Sequence, residues 1–266
     1  MRDVMRKVQV NMPYQMLIDE HLPLVIREKL NPEIGFNCFV LDRFTTGDFI
    51  ETARILSGAG VNVTFHAPFF DLRPGALDRK VREVTKDRLK QVFDLIPYYK
   101  PLSVVCHPSY DERYYVSNEE AWLENSRDTW AYFLTLAEEM NTVIALENVY
   151  EGGPHYIARL IEALPASPNL SFCFDTGHFN VFSEEPLKAW LDRLGSAIRQ
   201  VHLHDNSGSR DDHLPVGEGT FPFRELFQYL KTMDSLPLIT LEPHNEAAFR
   251  RTMKNIKSMG LFGQSQ

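Results

Sequence analysis

The sequence predicts an α/β protein built as a single (β/α)8 TIM barrel over residues 1–266, and three observations lead there. Short β-branched runs alternate with longer amphipathic stretches along almost the whole chain, the pattern of βα units wrapped around a parallel sheet. Eight such pairs can be counted, and 266 residues is close to what a barrel of eight units needs, roughly 250. No Gly-x-Gly-x-x-Gly turn follows the first strand, so an open dinucleotide-binding sheet is disfavoured.

The strands are expected, in order, at Val8 to Met12, Gly35 to Leu41, Val61 to His66, Leu102 to His107, Thr142 to Glu147, Leu170 to Asp175, Gln200 to His204 and Leu238 to Glu242. After the third strand, Leu77, Val81, Val84, Val92 and Leu95 recur at helical spacing, with Arg79, Lys80, Arg82 and Lys86 on the other face. That basic stripe reads as a solvated outer face rather than a phosphate-binding one. After the fourth strand, Ser117 and Glu120 have the spacing of a capping box, and Trp122, Trp130 and Phe133 supply a packing face. No low-complexity tract or Pro/Gly/Ser-rich linker interrupts the alternation, which leaves no place for a domain boundary.

Composition narrows the function. The chain is 44% hydrophobic and 24% charged, as expected of a globular domain with a sizeable core. Its net charge of −8 offers no general attraction to a phosphate backbone, so nucleic acid is disfavoured as a partner. Apolar runs such as Ile144 to Leu146 fall far short of the roughly 20 residues that span a bilayer. The start, Met1 to Lys7, has positive charge but no apolar run behind it, so no secretory signal is read and a cytoplasmic location is expected. Cys38, Cys106 and Cys173 are far apart and set in apolar runs, the usage of buried thiols in a reducing compartment.

The chemistry is expected at the strand ends. The third to eighth strands each finish in a residue able to bind a metal: His66, His107, Glu147, Asp175, His202 and Glu242. In a parallel barrel these ends meet at one rim, where the active sites of such barrels sit. A lone His or Glu near a strand end is more often a hydrogen-bonded or solvated group. Six together at one poorly solvated rim would leave uncompensated charge, which a divalent cation would balance. His178 follows Asp175 after a turn at Gly177, and Asp211 and His213 project to one side of an extended loop, so these three join the expected ligands. Oxygen and imidazole donors without thiolate suit zinc or manganese, with iron or cobalt also compatible.

His66-Ala-Pro-Phe-Phe, Leu146-Glu147-Asn148, Phe174-Asp175-Thr176-Gly177-His178, Val201-His202-Leu203-His204-Asp205, Gly217-Glu218-Gly219 and Leu241-Glu242-Pro243 together resemble the xylose isomerase-like TIM-barrel superfamily. That superfamily contains metal-dependent sugar isomerases and epimerases and also endonuclease IV. The resemblance implies two residue sets. Glu147, Asp175, His202 and Glu242 match the ligands of the single-metal ketose epimerases, in which the two glutamates also form the catalytic acid/base pair and proton transfer passes through a metal-stabilised enediolate. His66, His107, Glu147, Asp175, His178, His202, Asp211, His213 and Glu242 match the nine ligands of endonuclease IV's three-zinc cluster, which cleaves phosphodiesters at abasic DNA.

The stretch from His202 to Asp211 is shorter than in that nuclease, and the first strand-loop, Val10-Asn-Met-Pro-Tyr, lacks a Gly-rich, basic DNA-contacting character. The leading expectation is therefore a metal-dependent isomerase or epimerase acting on a small sugar, sugar phosphate or polyol, with one to three ions. The alternative is a trinuclear-zinc phosphodiesterase, and a third reading is a non-catalytic metal- or sugar-binding barrel. His204, Asn148 and Arg210 are candidates to contact substrate, His155 and His244 lie one loop beyond two of the glutamates, and His21 is expected in solvent. Oligomeric state and substrate identity are not legible in the residues.

Overall fold

A computed structural model describes residues 8–260 and 262. The charged start Met1–Lys7 lies outside the described residues. Eight parallel strands close into a barrel in sequence order: β1 Val8–Pro13, β2 Asn31–Gly35, β3 Thr64–His66, β4 Val104–Cys106, β5 Ile144–Glu147, β6 Leu170–Asp175, β7 Ile198–Leu203 and β8 Leu238–Leu241. The ring is completed by β1 pairing with β8, Val8 opposite Ile239 and Val10 opposite Leu241. This is the (β/α)8 barrel that the alternation of patterns predicts.

Side chains alternate across the wall, as the two-residue period of a strand requires. In β5, Ile144 and Leu146 join the large cluster under the helices, while Ala145 packs inward with Val105 and Cys173. Glu147 shares the inward face of Ala145 and so arrives at the mouth pointing to the axis. The same alternation sends Glu33, Asp175 and His202 inward. Helix Glu119–Glu139 buries Trp122, Trp130 and Phe133 against the outer wall, as expected. No helix among the described residues is long and apolar enough to cross a membrane.

Four local expectations are corrected. β2 runs over Asn31–Gly35, not Gly35 to Leu41; the apolar run Cys38–Arg43 is a helix, started by Asn37 accepting a hydrogen bond from Val40 N at 2.9 Å. Short apolar runs fit either period, and the asparagine cap decides this one. Ser117 and Glu120 form no capping box: Asn118 occupies the cap position and Ser117 turns the chain with φ 62°. Helix Arg79–Phe93 buries Thr85, Leu89, Val92 and Phe93, while Leu77, Val81 and Val84 are exposed. Finally, β4, β7 and β8 stop at Cys106, Leu203 and Leu241, so His107, His204 and Glu242 stand just past the strand ends rather than on them.

Candidate metal centre at the barrel mouth

All nine expected ligands lie at the C-terminal mouth, in three adjoining groups. In the first, His66 Nε2 and His107 Nε2 stand 3.2 and 3.1 Å from Glu147 Oε2. In the second, three carboxylates from different strands converge on His202 Nδ1: Glu242 Oε1 at 3.1 Å, Glu147 Oε1 at 3.3 Å and Asp175 Oδ2 at 3.7 Å. In the third, His213 Nε2 and His178 Nε2 stand 3.2 and 3.6 Å from Asp211 Oδ2. Glu147 belongs to both the first and second groups, one oxygen to each.

The ring orientations decide whether these are internal salt bridges or a cation cradle. His66 Nδ1 lies 3.0 Å from Ala67 O, His178 Nδ1 3.0 Å from Asn148 O and His213 Nδ1 3.3 Å from Glu242 O. Each Nδ1–H therefore donates to a backbone carbonyl, which turns Nε2 towards the carboxylates as the nitrogen a cation would meet. A metal-binding histidine is typically oriented in this way by a partner on its other nitrogen. His202 is turned the other way round: Nε2 donates to Glu33 Oε1 at 3.1 Å, and Nδ1 faces the three carboxylates. His202 Nδ1, His204 Nδ1 and Asp211 Oδ1 are buried without a well-aligned hydrogen bond among the described residues: His202 Nδ1 has Glu242 Oε1 at 3.1 Å, and His204 Nδ1 and Asp211 Oδ1 face each other at 3.4 Å. Buried orphans of that kind are costly unless a ligand completes them, and a divalent cation fits this all-N/O donor set.

Electrostatics point the same way. Burial alone would lower the histidines, yet the surrounding carboxylates hold His178 and, together with Cys173, His202 well above the ordinary histidine range. Burial is likewise outweighed at Glu147, where His202 and His107 keep the carboxyl well below its usual value. His107 moves down, because burial exceeds its attraction to Glu147.

Two devices hold the clustered side chains in place. Asp175 Oδ1 accepts from His178 N at 2.6 Å, capping the helix Thr176–Phe182 and fixing the turn between two candidate ligands. A side chain at Gly177 would run into the His204 ring, so only glycine lets that turn pass. Asp205, buried just after β7, accepts from Gly217 N at 3.0 Å, Gly219 N at 2.8 Å, Asn206 N at 2.9 Å and Phe221 N at 3.2 Å. This clasp closes the loop that carries Asp211 and His213, and it gives the Gly217-Glu218-Gly219 motif a structural job.

The remaining candidates separate. His204 is buried within the cluster: its Nε2 lies 3.0 Å from both Asp175 oxygens and its ring stacks on His213 with centroids 3.9 Å apart. Asn148 is buried and exchanges hydrogen bonds with the Asp175 backbone at 2.8 and 3.0 Å, locking β5 to β6. Arg210 is largely exposed, 3.5 Å from Asp212. His244 lies over His213 at 5.1 Å, whereas His155 pairs with Glu119 at 3.7 Å, and His21, in a helical turn over Leu17–His21, is partly buried.

Two carboxylates escape the sequence reading. Glu33 is fully buried on β2; besides His202, it accepts from Asn11 at 3.1 Å, Thr64 at 3.0 Å, Thr240 at 3.0 Å and Gln200. The signal for it is the isolated acid in Asn31-Pro-Glu-Ile-Gly, visible once that segment is read as a strand. Glu151 is buried in the loop after β5 with one oxygen on Val149 N at 2.7 Å and the other without a partner among the described residues, and burial pushes its carboxyl up to about 7.

An eight-stranded parallel barrel with histidine, aspartate and glutamate gathered at one mouth defines the broad class. Residues 32–259 match the family described as the xylose isomerase-like TIM barrel, and the chain belongs to it. Among sequence relatives, the uncharacterized protein MJ1311 of Methanocaldococcus jannaschii is 30% identical over 192 residues, spanning 70% of this chain and 65% of that protein, just under two thirds of its length. Among solved structures, a D-tagatose 3-epimerase-like protein superposes with TM-score 0.80 at 24% identity, covering 95% of this chain and 96% of its own. The TTHB071 protein of Thermus thermophilus, solved after soaking with ZnCl2, superposes with TM-score 0.77 at 22% identity, covering 97% of this chain and all of its own, 100%.

Proposed function

We propose that the chain is a divalent-metal-dependent isomerase or epimerase acting on a small sugar, sugar phosphate or polyol. The observation that carries the reading is the convergence of Glu147, Asp175 and Glu242 on His202 Nδ1, a cradle that asks for one cation. The naming of a structural neighbour as D-tagatose 3-epimerase-like supports the same class. A cation bound there would supply Lewis acidity, lowering the cost of removing a proton next to a carbonyl. The chain's own part is to hold and move that proton: Glu242, the less deeply buried of the two glutamates, takes it, and Glu147 serves as its partner. Glu33 keeps His202 in a single tautomer throughout.

The test is deuterium uptake from solvent into a panel of ketoses by the zinc- or manganese-loaded protein. Exchange into at least one ketose, abolished in Glu242→Gln, is the expected result. A loaded protein that exchanges none of them contradicts the reading.

A second reading has its own observation. The groups around His66 and His107 and around His178, Asp211 and His213 are surplus to a one-metal site, and their Nε2 atoms are already turned to carboxylate oxygens. They favour a trinuclear phosphodiesterase, since clustered ions can stabilise both the entering and the leaving oxygen of a phosphate. Elemental analysis separates the two: one ion per chain goes with proton transfer, and three ions with cleavage of an abasic-site duplex go with phosphate chemistry.

A further inference from the structure

A cavity of about 740 Å³ opens at the other end of the barrel, where the strands begin. Its wall is drawn from the starts of β4 to β8 and from the segment that leads into β8. Ser103, Ser171 and Gln200 form its floor, exposed by 2, 2 and 0%. They alternate with Val105, Cys173 and His202, so they point to the barrel axis. Barrels of this kind usually fill their interior layers with bulky branched side chains, and two serines in their place leave room.

The floor of this cavity is tied to the mouth. Ser103 Oγ donates to Gln200 Oε1 at 2.5 Å, and the Gln200 amide donates to Thr240 Oγ1 at 2.9 Å and to Glu33 Oε2. The same amide nitrogen stands 3.3 Å from His202 Nε2, the nitrogen that donates to Glu33. One fully buried side chain therefore lines the cavity and touches His202. The rim is shaped as well. Tyr229 lies against Gly195, where any side chain would strike its hydroxyl, and Arg199 is held by Ser196 O and Ile198 O at 3.1 and 3.0 Å.

We propose that this cavity is a second binding site, for a small neutral polyol, and that Gln200 carries its occupancy to His202. Its volume lies in the range of small-molecule sites, about 300–1,000 Å³. The buried floor offers two hydroxyls and an amide, groups that donate and accept hydrogen bonds and carry no charge. An anion seated there would face the Glu33 carboxylate behind Gln200, and a cation would find both Glu33 oxygens already bonded. The two charged side chains of the rim, Arg199 and Asp234, are exposed and opposite in sign. A polyol matches the serines with its hydroxyls while its C–H faces rest on Leu102, Val143 and Leu238. The inference stands apart from the metal-dependent reading, because none of the nine candidate ligands lines this cavity.

The test uses metal-free protein and D-sorbitol, a neutral polyol without a carbonyl for the mouth to act on. Calorimetry should show binding that is kept in Glu242→Gln and lost in Ser171→Leu, which fills the floor. Tyr229→Ala, which removes one wall and leaves the barrel interior intact, should weaken binding about tenfold, the scale of one aromatic contact surface. The imidazole nitrogen resonances of His202 should move as the parent is saturated with sorbitol and stay in place in Ser171→Leu. No binding to the parent, or binding untouched by both Ser171→Leu and Tyr229→Ala, overturns the site. Binding lost in Glu242→Gln puts the polyol at the mouth and overturns it too. Binding at the cavity that leaves the His202 resonances where they were overturns the link through Gln200.

Discussion

Glu33 shows how a residue that touches no substrate can govern the centre. Its carboxylate is saturated by Asn11, Thr64, Gln200 and Thr240, so it cannot swing, and it spends its remaining capacity on His202 Nε2. Glu33→Ala is expected to weaken zinc binding by about 10- to 100-fold, the scale found for partners that orient metal-binding histidines, and chelator competition measures it. An unchanged affinity would show that His202 needs no such partner. Glu151 makes a different prediction. Burial raises its carboxyl from the ordinary 4.5 to about 7, so the folded chain holds that proton more tightly than the unfolded one. Its contribution is therefore fully present below about 4.5 and lost as pH rises through about 7, a difference of about 3 kcal/mol across that window. Denaturant midpoints for Glu151→Gln should decline less between pH 5 and pH 8 than those of the parent; parallel declines would exclude this residue as the source. Most of the residues gathered at the mouth are legible in sequence, because strand-end residues of ligand type recur at the spacing of βα units. Glu33 is not, because it depends on a strand whose limits the neighbouring apolar run obscures.

At the scale of elements, the reason for that misplacement is physical. Gly35-Phe-Asn-Cys-Phe-Val-Leu carries enough apolar residues for a strand, whereas Asn31-Pro-Glu-Ile-Gly puts a proline and a buried acid into one. Closure of the barrel overrides local propensity, and pairing of Val10 with Pro32 and Glu33 with Thr64 sets the register. Apolar spacing along the Arg79–Phe93 helix predicts a buried face rotated from the one that packs, because Val81 and Val84 are exposed and Thr85 is buried, bonding Val81 O and Arg73 N. The loop clasp at Asp205 carries the prediction for this scale. Asp205→Ala leaves four backbone N–H groups without their acceptor, and a loss of about 2–3 kcal/mol is expected from a charged acceptor removed from a buried site. Hydrogen exchange should rise selectively across residues 205–221. Exchange that rises evenly over the whole chain would instead mean that the clasp supports the global fold.

On the proposed reading, the whole molecule couples protonation to metal occupancy. His213 is buried, which lowers it, but Asp211 and Glu242 outweigh this and hold it up to about 9. Its protonated form therefore stabilises the metal-free chain fully below about 6.5, and that contribution is lost as pH rises through about 9. A bound cation needs the neutral ring, so zinc affinity should climb over the same interval, with protons released on binding. Binding at 100 times the dissociation constant would add about 2.7 kcal/mol of stability, seen as a higher melting temperature. The most direct measurement is anomalous diffraction at the zinc edge from crystals grown with zinc. A peak about 2.0–2.2 Å from Glu147, Asp175, His202 Nδ1 and Glu242 is predicted. A zinc-saturated crystal with no peak among those four residues would contradict the account.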